Sequence, residues 1–133
     1  MPTKIYTDGS QTQICFKIGD QEPVVRLVKP DGEKATVNEA EYLAAVHALQ
    51  EAKNQGIVEV EVWSDSELMV KQMTMKPDGK AKYQTKNVRL QQLQQLLKGL
   101  MVHVKATYHW LPREKNLAGK MLEQEERKKR RKQ

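Results

Sequence analysis

Three carboxylates occupy positions where ordinary packing does not want them. Asp8 closes a short β-prone run, Lys4–Asp8, and Asp65 follows the alternating run Ile57–Ser64, with a serine close behind each in Ser10 and Ser66. If those runs are parallel neighbours, both aspartates emerge at the carboxyl end of one sheet, where open α/β sheets place their ligand sites. The third, Glu41, lies in a helical segment beginning at Asn38. On a helical wheel it falls inside the apolar arc of Tyr42, Ala45, Ala48, Leu49 and Ala52, whereas Glu39 falls at the polar edge. A charge on a buried face costs several kcal/mol unless it is paired or bound to a cation. Carboxylates that converge repel and raise one another's pKa unless a cation fills the centre, and hard oxygen ligands select Mg²⁺ or Mn²⁺. The same aspartates could instead serve as turn or helix N-cap residues, a common use of aspartate.

The segments around them define what must hold them. Lys4–Asp8, Thr12–Ile18 and Pro23–Val28 are β-prone and separated by Gly9-Ser10 and Gly19-Asp20, which predicts an antiparallel meander. Helical spacing runs from Asn38 to Lys53 and stops at Gly56. A strand follows over Ile57–Ser64, then a short helix over Ser66–Met73, broken at Lys76-Pro-Asp-Gly79. Asn87–Met101 is amphipathic, with Leu90, Leu93, Leu97 and Leu100 on one stripe. Val102–Trp110 alternates, and Asn116 opens a last helix. The order βββ-α-β-α-α-β-α implies an α/β fold with a five-stranded mixed sheet, its later strands joined by right-handed crossovers and flanked by helices.

The 133 residues suit one domain, and the net charge of +6 has a single location. Six consecutive cations fill 127–132, and without them basic and acidic residues balance at 17 each. The chain therefore divides into a domain over 1–123 and a basic tail over 124–133. Such a tail attracts polyanions without sequence preference, or is simply a solvated end. Cys15 has no second cysteine for a disulfide or a zinc site. No apolar run approaches the length of a signal core or membrane span. The expectation is a cytoplasmic monomer with no membrane association and no small-molecule cofactor.

Four segments, in order, resemble the ribonuclease H type 1 family: Ile5-Tyr-Thr-Asp-Gly-Ser10, Thr36-Val-Asn-Glu-Ala-Glu-Tyr42, Trp63-Ser-Asp-Ser-Glu67 and Leu111-Pro-Arg-Glu-Lys-Asn116. The resemblance spans Ile5 to about Glu123. It implies a ribonuclease H-like fold and an endonuclease that cuts the RNA strand of RNA–DNA hybrids with two metal ions. Asp8 would bridge the ions, with Glu41 and Asp65 completing the cage. Ser10 and Asn38 would meet the RNA strand at its 2′-hydroxyls or adjacent backbone, and Thr36 a phosphate of the DNA strand. Lys80, Lys82 and Lys86 lie where larger members carry a basic protrusion that grips hybrid phosphates; exposed lysines also serve mere solubility.

The departure is at the family's fourth acidic position. From Asn116 the run is Asn-Leu-Ala-Gly-Lys-Met-Leu, leaving Lys120 where aspartate is expected, or Gly119 if one residue is gapped. Glu123, one turn on, could reach back as a fourth catalytic carboxylate. Alternatively Lys120 pairs with Asp8 or Asp65, and Glu123 is a surface residue. A second functional reading follows: a module with impaired catalysis that binds hybrid or duplex nucleic acid.

Overall fold

A computed structural model describes residues 2–74 and 85–131, the side chains of 129–131 excepted. Five strands form one sheet: β1 (Thr3–Gly9), β2 (Gln13–Ile18), β3 (Val24–Leu27), β4 (Glu59–Ser64) and β5 (Lys105–Trp110), in the order β3-β2-β1-β4-β5. β1 pairs antiparallel with β2 and parallel with β4, which is parallel to β5. The helices are α1 (Val37–Asn54), α2 (Glu67–Met73), α3 (Val88–Leu100) and α4 (Leu117–Arg131), the last preceded by a 3₁₀ turn at Arg113–Lys115. Among the described residues no helix is long and apolar enough to cross a membrane.

Local chemistry sets these boundaries. Thr36 Oγ1 accepts from Glu39 N at 3.1 Å, Ser66 Oγ from Met69 N at 3.2 Å and Asn87 Oδ1 from Leu90 N at 3.1 Å, so each helix opens on a side-chain cap. α1 closes where Gly56, at φ +76°, donates to Lys53 O and Ile57 N donates to Ala52 O. The alternation over Val102–Val104 does not extend β5. His103 and Val104 both donate to Leu100 O, so those residues close α3, and Val102 is exposed.

Alternation along the strands divides the interior into two layers. Ile5, Phe16, Val60 and Val62 meet Tyr42 and Leu49 of α1 and Leu93 and Leu97 of α3. On the opposite face a smaller cluster joins Cys15 of β2 to Ala118 and Leu122 of α4. Between the helices, the Tyr42 hydroxyl donates to Gln72 Oε1 and accepts from Gln94 Nε2, so one polar network ties α1, α2 and α3. The division between residues 123 and 124 falls within α4.

Candidate metal centre

The pleat sends Asp8 to the face of β1 opposite Ile5 and Thr7, toward α4, and the parallel pairing of Thr7 with Ser64 brings the ends of β1 and β4 side by side. Asp65 follows directly. α1 crosses close to β1 because Gly9 has no side chain: a Cβ there would sit 2.6 Å from the Ala40 carbonyl carbon. Glu41, the next residue along α1, is thereby delivered into the interior beside Asp8, with 4% of its surface exposed. One carboxylate oxygen from each of Asp8, Glu41 and Asp65 lies within 4.8 Å of the others. They line an open cleft of about 610 Å³.

Supporting groups hold this arrangement. Asn116, fully buried, donates from Nδ2 to Thr7 O at 2.9 Å and to Asp65 Oδ2 at 3.4 Å, while its Oδ1 accepts from Ala118 N. Ser64 Oγ donates to Glu41 Oε2 at 3.4 Å and accepts from Ser66 N at 3.0 Å. Burial, reinforced by the charge of Asp65, pushes Asp8 up to about 6. Burial and the Asp8 charge raise Glu41 well above the usual carboxylate range, and burial raises Asp65, against the pull of Asn116 and Arg113. A hydrogen bond joins the Glu41 and Asp8 carboxyl groups, so a proton held between them relieves the repulsion. An all-oxygen, mutually repelling set of this kind fits a hard divalent cation, which would replace that proton.

The other expected residues divide by location. Ser10 lines the cleft, its Oγ accepting from Gln13 N at 3.1 Å in the β1–β2 turn. Thr36 and Asn38 are exposed at the start of α1, where Thr36 is the cap. Lys86 is exposed just before α3, whereas Lys80 and Lys82 lie outside the described residues. Glu123 also lines the cleft, but its carboxylate pairs with Arg127 at 2.7 Å and is not among the three that converge. Gly119 is the α4 residue that faces Asp8: a Cβ on it would be 3.1 Å from Asp8 Oδ2. Lys120 is exposed in a smaller cleft beside Arg113 and Glu114, and among the described residues it forms no ion pair with Asp8 or Asp65.

Two features differ from the sequence reading. Glu39 is not at a solvated edge: it is buried, receiving Arg89 Nε of α3 at 2.7 Å and lying 3.9 Å from Lys29 Nζ. Asn116 and Arg113 stand at the centre, although the sequence marks Asn116 only as a helix opening and Arg113 only as part of a loop motif. Arg113 lines the cleft and lowers the pKa of both aspartates. The signal for Asn116 is its place at the helix opening, an amide that caps α4 with one end and reaches the site with the other.

Comparison with known proteins places this geometry. No curated protein is detectably similar in sequence. Ribonuclease H1 from the halophilic archaeon Halobacterium salinarum superposes with a TM-score of 0.74 at 22% identity, over 89% of this chain and 91% of that one. The LC11 ribonuclease H1, solved in complex with an RNA/DNA hybrid, gives 0.71 at 28% identity over 86% and 88%. The N-terminal ribonuclease H domain of Rv2228c from Mycobacterium tuberculosis, solved as a fusion with maltose-binding protein, gives 0.65 at 25% identity over 89% and 92%. The family model described as reverse transcriptase-like matches residues 18–125. The chain belongs to that reverse transcriptase-like family, and its fold is that of the type 1 ribonucleases H.

Proposed function

We propose that the protein is a metal-dependent endonuclease that hydrolyses the RNA strand of RNA–DNA hybrids. The observation that carries this reading is the convergence of Asp8, Glu41 and Asp65 within 4.8 Å at the carboxyl end of the sheet. It is supported by a neighbour of the same fold solved on a hybrid. Asp8, Glu41 and Asp65 would hold two Mg²⁺ or Mn²⁺ ions. Ions so held supply Lewis-acid stabilisation to the attacking and leaving oxygens of an in-line displacement at phosphorus. The chain's own part is positioning. Asn116 orients the Asp65 carboxylate and Ser64 that of Glu41. Ser10 and Asn38 would meet the RNA strand near its 2′-hydroxyl, the group that distinguishes RNA from DNA, and Thr36 a phosphate of the other strand. Lys80, Lys82 and Lys86 would add sequence-independent attraction to the hybrid backbone.

A labelled hybrid incubated with Mg²⁺ or Mn²⁺ tests this. Cleavage should depend on the metal and fall at least about 100-fold in Asp8→Asn, since outer-shell changes alone cost up to about that much. Metal-independent cutting, or none in the native protein, rejects the reading.

A second reading is favoured by one observation. At the start of α4 a glycine faces Asp8 and a lysine stands exposed beside it, so that part of the helix contributes no carboxylate. A module with impaired catalysis would bind hybrid or duplex without turning it over. Lys120→Asp separates the two: under the enzyme reading it leaves a robust native rate within a few-fold, whereas cleavage appearing only in the variant establishes the module. Glu123→Gln should lower the rate if that carboxylate reaches the ions once Arg127 releases it, and an unchanged rate removes it from the site.

A further inference from the structure

Next to the centre stands an aromatic ring that neither the fold nor the metal site uses. Trp110 ends β5 in register with Ser64, which pairs with Thr7, so the last row across β1, β4 and β5 is Thr7, Ser64, Trp110, one residue before Asp8 and Asp65. Its neighbours on the same face, Ala106 and Tyr108, are buried, but Trp110 remains 49% exposed. Among the described residues it is the only aromatic of the exposed large hydrophobic side chains. A single exposed apolar residue is unremarkable. This one is different in being fixed: its indole Nε1 donates to the backbone oxygen of Asp65 at 3.3 Å, and Leu111 N donates to Ser64 O at 3.1 Å. The ring is thus pinned through the residue that would hold the metal, with much of its surface open to solvent.

We propose that Trp110 is a substrate-binding residue, a rigid platform at the Asp65 backbone on which a base or ribose ring of the hybrid stacks, near the phosphate that ions bound by the carboxylates would hold. This rests on the hybrid-nuclease reading above. An indole has few rotatable bonds, so a tethered ring loses little conformational freedom on binding. Base–aromatic stacking is tolerant of sequence, as an enzyme that cuts hybrids of any sequence requires. Contact at this strand end would also register the sugar–phosphate backbone against Asp65 rather than merely add affinity.

The chain has two tryptophans, so Trp63→Phe leaves Trp110 as the sole reporter of indole fluorescence. Asp8→Asn in the same background prevents turnover. Binding of a fluorescein-labelled hybrid is followed by anisotropy, and Trp110 emission by titration with unlabelled hybrid. Saturation should quench the emission and shield it from acrylamide. Trp110→Ala should weaken binding roughly tenfold, within the range of one stacked base, and Trp110→Phe should restore it to within about threefold. Circular dichroism checks that each variant is folded. If Trp110→Ala fails to fold, the quenching measurement decides. Hybrid binding with unchanged emission, or equal affinity in a folded Trp110→Ala, overturns the platform but leaves the nuclease reading standing. Absence of hybrid binding in the parent overturns both.

Discussion

Burial and the facing charge of Asp65 push the Asp8 carboxyl up to about 6 from its ordinary 3.8, and this couples the site to the stability of the whole chain. With the folded pKa raised, the protonated carboxyl favours the folded state. That contribution is complete below 3.8 and lost as the pH rises through about 6. Asp8→Asn removes the ionisation, so in chelator the variant should gain in Tm relative to the native protein as the pH is raised across that window. Thermal melts at the two ends of it provide the check, and parallel curves contradict it. Metal binding should displace protons, more per ion below about pH 6 than well above it, as calorimetry in buffers of different ionisation enthalpy reads directly. Asn116 offers a second test at this scale. Asn116→Ala leaves Thr7 O without its side-chain donor and frees Asp65, at a cost of about 1–3 kcal/mol for the unsatisfied buried group. Urea denaturation measures that cost, and the Mn²⁺ affinity should fall with it.

Among the elements, the decisive approach is that of α1 to β1. Gly9→Ala would drive a methyl carbon to 2.6 Å from the Ala40 backbone, and the helix must move away. Overpacking of this kind costs typically about 1–3 kcal/mol. Because Glu41 is the next residue on that helix, Mn²⁺ affinity measured by titration should drop in variants that still fold. An unchanged affinity would mean that α1 does not set the position of Glu41. Much of this was readable in advance. The helical wheel picked Glu41 out as a charge among alanines, and alternation with turn residues gave the meander and the aspartates at two strand ends. What was not readable is non-local. Glu39 is buried by Arg89, fifty residues away in sequence, and local periodicity carries no trace of that partner. Val102–Val104 alternates as a strand would, yet the backbone spends it closing α3. Nor does spacing alone reveal that Gly119, rather than Lys120, faces Asp8, since that depends on how α4 lies across the sheet.

For the molecule as a whole, charge is the property that matters beyond the site. With 17 acidic and 17 basic residues outside 127–132, the body is formally balanced and the surplus is confined to one run. Removing residues 127–133 should leave cleavage intact at low salt while flattening the dependence of log affinity on log salt by up to about 5, the share of six released counterions. Anisotropy over a salt series measures it, and an unchanged slope shows that the run does not touch the hybrid.

α4 is unbroken from Leu117 to Arg131, so the glycine that abuts Asp8 and the cations at the far end sit on one rod about 20 Å long. There is no hinge between them. A ligand grasping the far end would therefore be joined to the carboxylates by a continuous helix. A polyanion that tilted this rod would loosen or tighten its seat against Asp8 without ever entering the cleft.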